Sequence, residues 1–154
     1  MKAKRFFFLV MAICLAIGVR AQFRSNDEVL LYIPAGESIM SCKVPIIVRF
    51  NDNNLNFDMP VMSIIKDIYK NDSSLKSYFN RRLLTYKFDE DNTTSKRITY
   101  NINYNNTGTF NYLSFSPDKK SLIRWSDGTQ PKYYIRVDLS ELAPKSINKD
   151  FLYE

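Results

Sequence analysis

Apolar residues recur along most of this chain at every second position, the spacing of half-buried β-strands. Val29, Leu31 and Ile33 alternate with Leu30 and Tyr32 before Pro34-Ala35-Gly36 turns the chain. Ile46, Val48 and Phe50 alternate with Ile47, Arg49 and Asn51, and Asn51-Asp52-Asn53-Asn54 is rich in residues that tolerate positive φ. Leu55 and Phe57 predict a short return strand. Further on, Leu84, Tyr86 and Phe88 alternate, as do Ile98, Tyr100, Ile102 and Tyr104. Phe110–Phe115 and Ser121–Trp125 flank the turn Ser116-Pro117-Asp118-Lys119-Lys120. Ser126-Asp127-Gly128 turns again, and Tyr133, Ile135, Val137 and Leu139 alternate with Tyr134, Arg136 and Asp138.

One stretch changes period. Val61, Ile64, Ile65, Ile68 and Tyr69 fall at helical spacing, with Asp58 as the expected N-cap and Pro60 in the first turn. Asn71-Asp72-Ser73-Ser74 ends that helix, and 75–82 predicts a second, shorter one with Leu75, Tyr78 and Phe79 inward. Residues 22–28 predict a loose polar arm, and the tail from Ser140 a helical turn broken at Pro144. Neighbouring strands are expected to pair. The fold class expected is therefore α+β: a mostly antiparallel meander of about eight strands with one or two helices packed on it.

Composition changes the picture at the N-terminus. Lys2, Lys4 and Arg5 precede an uncharged apolar run, Phe6 to Val19, and Ala21 precedes Gln22 in a small-residue cleavage pattern. As a helix those 14 residues span about 21 Å, short of the roughly 30 Å hydrocarbon core. The pattern predicts an export signal, 1–21, cleaved between Ala21 and Gln22, then one domain, 22–154, with no stable membrane span. The leader carries four of the 22 Lys+Arg and none of the 16 Asp+Glu, so its removal lowers the net charge from +6 to +2. The destination expected is periplasmic or extracellular.

The residue inventory narrows the chemistry. The sequence has no His, which removes Ser-His-Asp and Cys-His nucleophilic catalysis and His-ligated zinc. Beyond the leader the glycines are Gly36, Gly108 and Gly128, too few and too scattered for a phosphate cradle. Cys42 would be the sole cysteine after cleavage, and between Met40 and Val44 it reads as a small buried hydrophobe. Asp89-Glu90-Asp91 lacks the ligand spacing and Gly of a calcium loop and reads as a solvated turn. Arg81-Arg82 and Lys119-Lys120 are isolated basic pairs, too sparse to make a nucleic-acid face. No catalytic residue, metal site or cofactor is expected.

The aromatic residues carry the strongest functional signal. All ten Tyr, eight of the eleven Phe and Trp125 lie beyond the leader. Tyr134 and Arg136 share the strand face opposite Ile135, and Trp125 immediately precedes a turn. Aromatics beside Arg suit interfaces and can stack on sugar rings. Trp125, Tyr134 and Arg136 are therefore the candidate binding residues. They predict a non-catalytic binding or interaction module for an unknown protein or glycan partner. The alternatives are a small two-carboxylate hydrolase acting on envelope or dietary glycans, and a periplasmic inhibitor or immunity-type protein. The hydrolase requires two acids facing one cleft, one of them with a raised pKa.

Several phrases also resemble a group of small uncharacterised exported proteins of gut Bacteroidetes: EVLLYIPAGESI (28–39), TSKRITY (94–100), FSPDKKSLIRW (115–125), KYYIRVDLSEL (132–142) and NKDFLYE (148–154). The Ala21-Gln22 junction is similar to that phylum's export signals. The resemblance implies export and a single domain. It carries no activity and no site.

Overall fold

The structure is a computed structural model, and it describes residues 22–80, 83–103 and 108–143. The predicted leader, Arg81-Arg82, Tyr104 with the turn after it, and the tail from Pro144 lie outside the described residues. Eight strands follow one another: β1 (Val29–Pro34), β2 (Ile46–Asn51), β3 (Asn54–Asp58), β4 (Leu84–Phe88), β5 (Ile98–Ile102), β6 (Asn111–Phe115), β7 (Ser121–Ser126) and β8 (Lys132–Val137). Each pairs antiparallel with its neighbour in sequence. The last strand then pairs antiparallel with the first, Ile33 opposite Ile135 and Leu31 opposite Val137, and the sheet becomes a closed barrel.

Closure overturns the α+β expectation of an open meander with helices packed on it. The physical reason lies in β1. All six of its residues are buried or half-buried, so both of its faces are covered and both of its edges are paired. An open meander would leave β1 and β8 as unpaired edges, with their N–H and C=O groups facing water. An eight-stranded barrel has an interior just wide enough for side chains to fill. Here aromatic rings fill it. Phe50 lies 5.1 Å from Phe115 and 5.7 Å from Tyr100 between ring centroids, Tyr32 lies 5.7 Å from Phe115, and Phe57 lies 5.1 Å from Tyr86. Leu30, Ile46, Val48, Leu55, Leu113 and Leu122 complete this core.

A second core lies outside the wall, over β1 and β2. Val29, Leu31, Ile33 and Ile47 point outward onto Met62 and Ile65 of α1 (Met62–Asn71), with Leu75 and, from the 3-10 turn that follows it, Tyr78. This helix is shorter in its contacts than the sequence pattern implies. Met62 and Ile65 are buried, whereas Val61 and Ile64 are exposed. Its first residue is preceded by Val61, which supplies no side-chain cap, and the Lys43 carbonyl accepts the Met62 N–H at 2.7 Å instead. Asp58, expected to cap the helix, accepts from the Met59 N–H at 2.8 Å and from the Tyr78 hydroxyl, tying the 3-10 turn to β3. The expected second helix is that turn, Lys76–Asn80, and the tail begins with another, Leu139–Leu142.

The arm is docked rather than loose. Asp27, at φ 61, bends it into β1, and Phe23 closes one mouth of the barrel, 4.9 Å from Phe50 and 6.1 Å from Phe115. Strands of five or six residues are well short of the roughly 9–11 that a membrane-crossing β-strand needs. No helix among the described residues is long and apolar enough to cross a membrane.

The face assignment on β8 has a direct test. Tyr134 is 5% exposed and packs in the barrel core, whereas Tyr133 is 59% exposed. Tyr134→Ala is expected to cost about 3–5 kcal/mol in urea unfolding, and Tyr133→Ser no more than about 0.5 kcal/mol.

Candidate functional site

The three residues singled out from sequence do not meet. Tyr134 points into the barrel beside Leu122, its register partner on β7, and is unavailable to a ligand. This corrects its expected exposure. Period-two alternation defines two faces but not which one is inside, and Lys132, Tyr134 and Arg136 are the inner face. Their charges are tolerated there because β8 is six residues long, which places Lys132 at one mouth and Arg136 at the other.

Arg136 belongs to the plugged mouth. Its guanidinium donates to Glu28 at 2.7 Å, across the β1–β8 seam, and Lys119 reaches the same carboxylate at 3.5 Å. The Lys119 ammonium also sits 5.0 Å from the centroids of both Phe23 and Phe50, and its backbone carbonyl accepts the Tyr32 hydroxyl at 2.6 Å. Burial pushes Glu28 upward, but its hydrogen bond from Asn26 and the Arg136 and Lys119 cations outweigh this and hold it below its usual value. On the neighbouring arm residue, Asp27 pairs with Arg49 and with Lys76 at 3.2 Å, and these cations hold it low as well. The cluster fastens the arm and the barrel seam.

This cluster borders a cavity of about 270 Å³ lined by Asp27, Glu28, Asp138 and Lys76, which gathers three carboxylates beside one cavity. All three acids lie below their usual values, Asp138 through hydrogen bonds from Ser140. A glycosidase acid would instead be raised. Asp89 is likewise engaged in structure: its carboxylate accepts from the Asn92 backbone N–H at 3.2 Å and side-chain amide at 2.7 Å. No group of three or more metal-ligating side chains occurs among the described residues. Cys42 is buried in the outer core, and burial, followed by Glu37, pushes its thiol up, away from reactivity.

Trp125 stands alone from the original trio, on the outer wall near the other mouth. It stacks on Tyr112, its register partner on β6, at 5.0 Å and 13° between planes. Phe110 lies 6.3 Å beyond Tyr112. Along β7 and β8 the same outer face continues through Ile123, Tyr133 and Ile135, and the last two are exposed. Burial, then the Asp127 carboxylate, pushes the Tyr112 hydroxyl up. Asp127 also accepts the Phe110 N–H at 2.9 Å, so the turn 126–128 anchors this aromatic row. At its rim, Arg124, Trp125, Ser126, Thr129, Gln130 and Lys132 line a concavity of about 250 Å³.

Sequence reasoning found Trp125 but missed Tyr112, Tyr133 and the cations Arg124 and Lys132. The turn Ser126-Asp127-Gly128 was legible, but the pairing that sets Arg124 opposite Lys132 depends on the β7–β8 register.

No protein-family model, curated protein or solved structure matches the chain.

Acid should loosen the plugged mouth. Both arm carboxylates are lowered, so their stabilisation is complete above the ordinary carboxylate range and is lost as pH falls through their depressed values. Thermal melts at pH 7, 4, 3 and 2 are expected to show a falling Tm below about pH 4.5. Glu28→Gln should flatten that fall and cost about 0.5–1 kcal/mol at pH 7, less in high salt.

Proposed function

We propose that this protein is an exported, non-catalytic binding module whose recognition surface is the β6–β8 side of the barrel around Trp125. One observation carries the reading: Trp125, stacked on Tyr112 in an outer row whose Tyr133 and Ile135 are exposed, lines a concavity of otherwise polar side chains, outside the packed core. Buried aromatics on the other inner faces are explained by packing, but Tyr133 at 59% exposure and Ile135 at 43% are not. A contiguous apolar row rimmed by polar groups is the arrangement of binding surfaces. The leader-like segment, with its short apolar run and Ala21-Gln22 junction, supports export.

The hydrolase alternative draws no support from the carboxylate cavity, whose acids are paired and lowered. An inhibitor or immunity-type role uses the same surface with a protein partner.

Wild-type protein and Trp125→Ala are to be compared for retention on an array of envelope and dietary oligosaccharides and for capture of components from envelope extract. Retention of the bound species is expected to fall about thirtyfold in the variant, the equivalent of about 2 kcal/mol for a central aromatic anchor. Unchanged retention by a folded variant removes Trp125 from the site and the reading with it.

A further inference from the structure

Three features of the hairpin mouth remain unexplained by folding. First, Arg124 on β7 and Lys132 on β8 are direct register partners, so two cations face each other across one strand pair. Like charges in that relation destabilise a sheet. Second, neither side chain has an ion pair or hydrogen bond to any of the described residues, whereas Lys119 and Arg136 at the opposite mouth share Glu28. The nearest acid in sequence, Asp127, is turned to Phe110 and Tyr112. Third, among the described residues no carboxylate lines the concavity that holds both cations. Its hydroxyls are spent locally: Thr129 Oγ1 accepts the Ser126 N–H at 3.0 Å and donates to the Ser126 carbonyl at 2.9 Å, and Ser126 Oγ donates to Asn111. The side-chain amide of Gln130 is uncommitted among the described residues.

From this juxtaposition we infer that the concavity binds an acidic sugar. At the rim of the mouth, where the inward row ending in Arg124 and Lys132 and the outward-facing Trp125 line one concavity, the negative group of the sugar lies between the two cations, its ring packs against Trp125, and Gln130 hydrogen-bonds a ring hydroxyl. This deepens the proposed function and rests on that reading of the β6–β8 surface. The ligand supplies an anion that none of the described residues provides, which turns a repulsive pair into a charge-assisted clamp. A volume of about 250 Å³ lies just below the roughly 300–1,000 Å³ of drug-sized pockets, so it takes one ring of a longer chain. The planar indole favours a sugar ring over the carboxylate of an acidic peptide. The Arg124 charge extends inward as well, being near enough to oppose the burial that pushes the Tyr86 hydroxyl up to about 12.

Calorimetric titration of the protein with four probes tests the inference: trigalacturonate, a sulfated chondroitin disaccharide, neutral galactotriose and poly-glutamate. At least one acidic probe is expected to bind ten times or more tighter than the neutral one, with affinity falling as salt rises. Binding of the uronate, the sulfated sugar or both identifies which negative group is preferred. Arg124→Gln/Lys132→Gln is expected to lose that preference at least tenfold, with Tm unchanged or higher, because a repulsive pair has been removed. Trp125→Phe keeps a ring at the wall for use if Trp125→Ala fails to fold, and is expected to weaken both acidic and neutral binding. Equal binding of neutral and acidic probes, full affinity in the double variant, or no saccharide binding overturns the inference. Binding of poly-glutamate alone overturns it in favour of an acidic peptide. If Trp125→Ala abolishes retention while the double variant retains it, the surface reading stands and the acidic-sugar inference falls. If neither variant matters, both fall.

Discussion

The pairing of β1 with β8 is the constraint on which the rest of the structure depends. Without it, the eight antiparallel strands form a ribbon with two open edges, and the row of rings from Tyr32 to Phe115 has no enclosed volume to occupy. With it, every strand acquires one inner face, and the rings meet edge-on at about 5–6 Å, spacings favourable for aromatic pairs. The seam is reinforced at one mouth by Glu28, which bridges Arg136 on β8 and Lys119 on the β6–β7 turn. Phe23 then covers the same mouth, so the arm and the seam are parts of one closure.

Closure also explains how much could be read before the structure was known. Strand positions and their antiparallel order were legible, because alternation and turn residues are local signals. Whether the ribbon closes is not local: it depends on the register between residues about a hundred positions apart, such as Ile33 and Ile135. The inversion of β8 follows from the same cause. Tyr133, Ile135 and Val137 look like a core face, yet Val137 is the member of that row covered by the outer core, and Tyr134 sits inside between two charged ends. In β1 the apolar run marked burial on both faces but left open which side was barrel and which was helix. Asp58 is a similar case: a good capping residue was taken over by Tyr78, a tertiary partner twenty positions away.

The candidate site was partly legible for a related reason. Trp125 beside a turn was a visible signal, but its stacking partner Tyr112 and the facing cations Arg124 and Lys132 are assembled by the β6–β7 and β7–β8 registers. The two mouths of the barrel use the same residue types in opposite ways. At the plugged mouth the cations are matched by Glu28 and serve stability. At the hairpin mouth they are unmatched among the described residues, a local conflict of the kind that marks sites kept for binding rather than folding.

Everything proposed for the surface depends on which residues closure turns inward, so the seam itself is the decisive target. Amide hydrogen exchange, resolved along β1 and β8, tests it most directly. A closed barrel requires the β8 amides that pair with β1 to be protected to the same degree as those of β2 and β6, because all are interior strands. Fast exchange confined to alternate amides of β1 and β8, with β2 to β7 protected, would show an open ribbon with free edges and contradict the account.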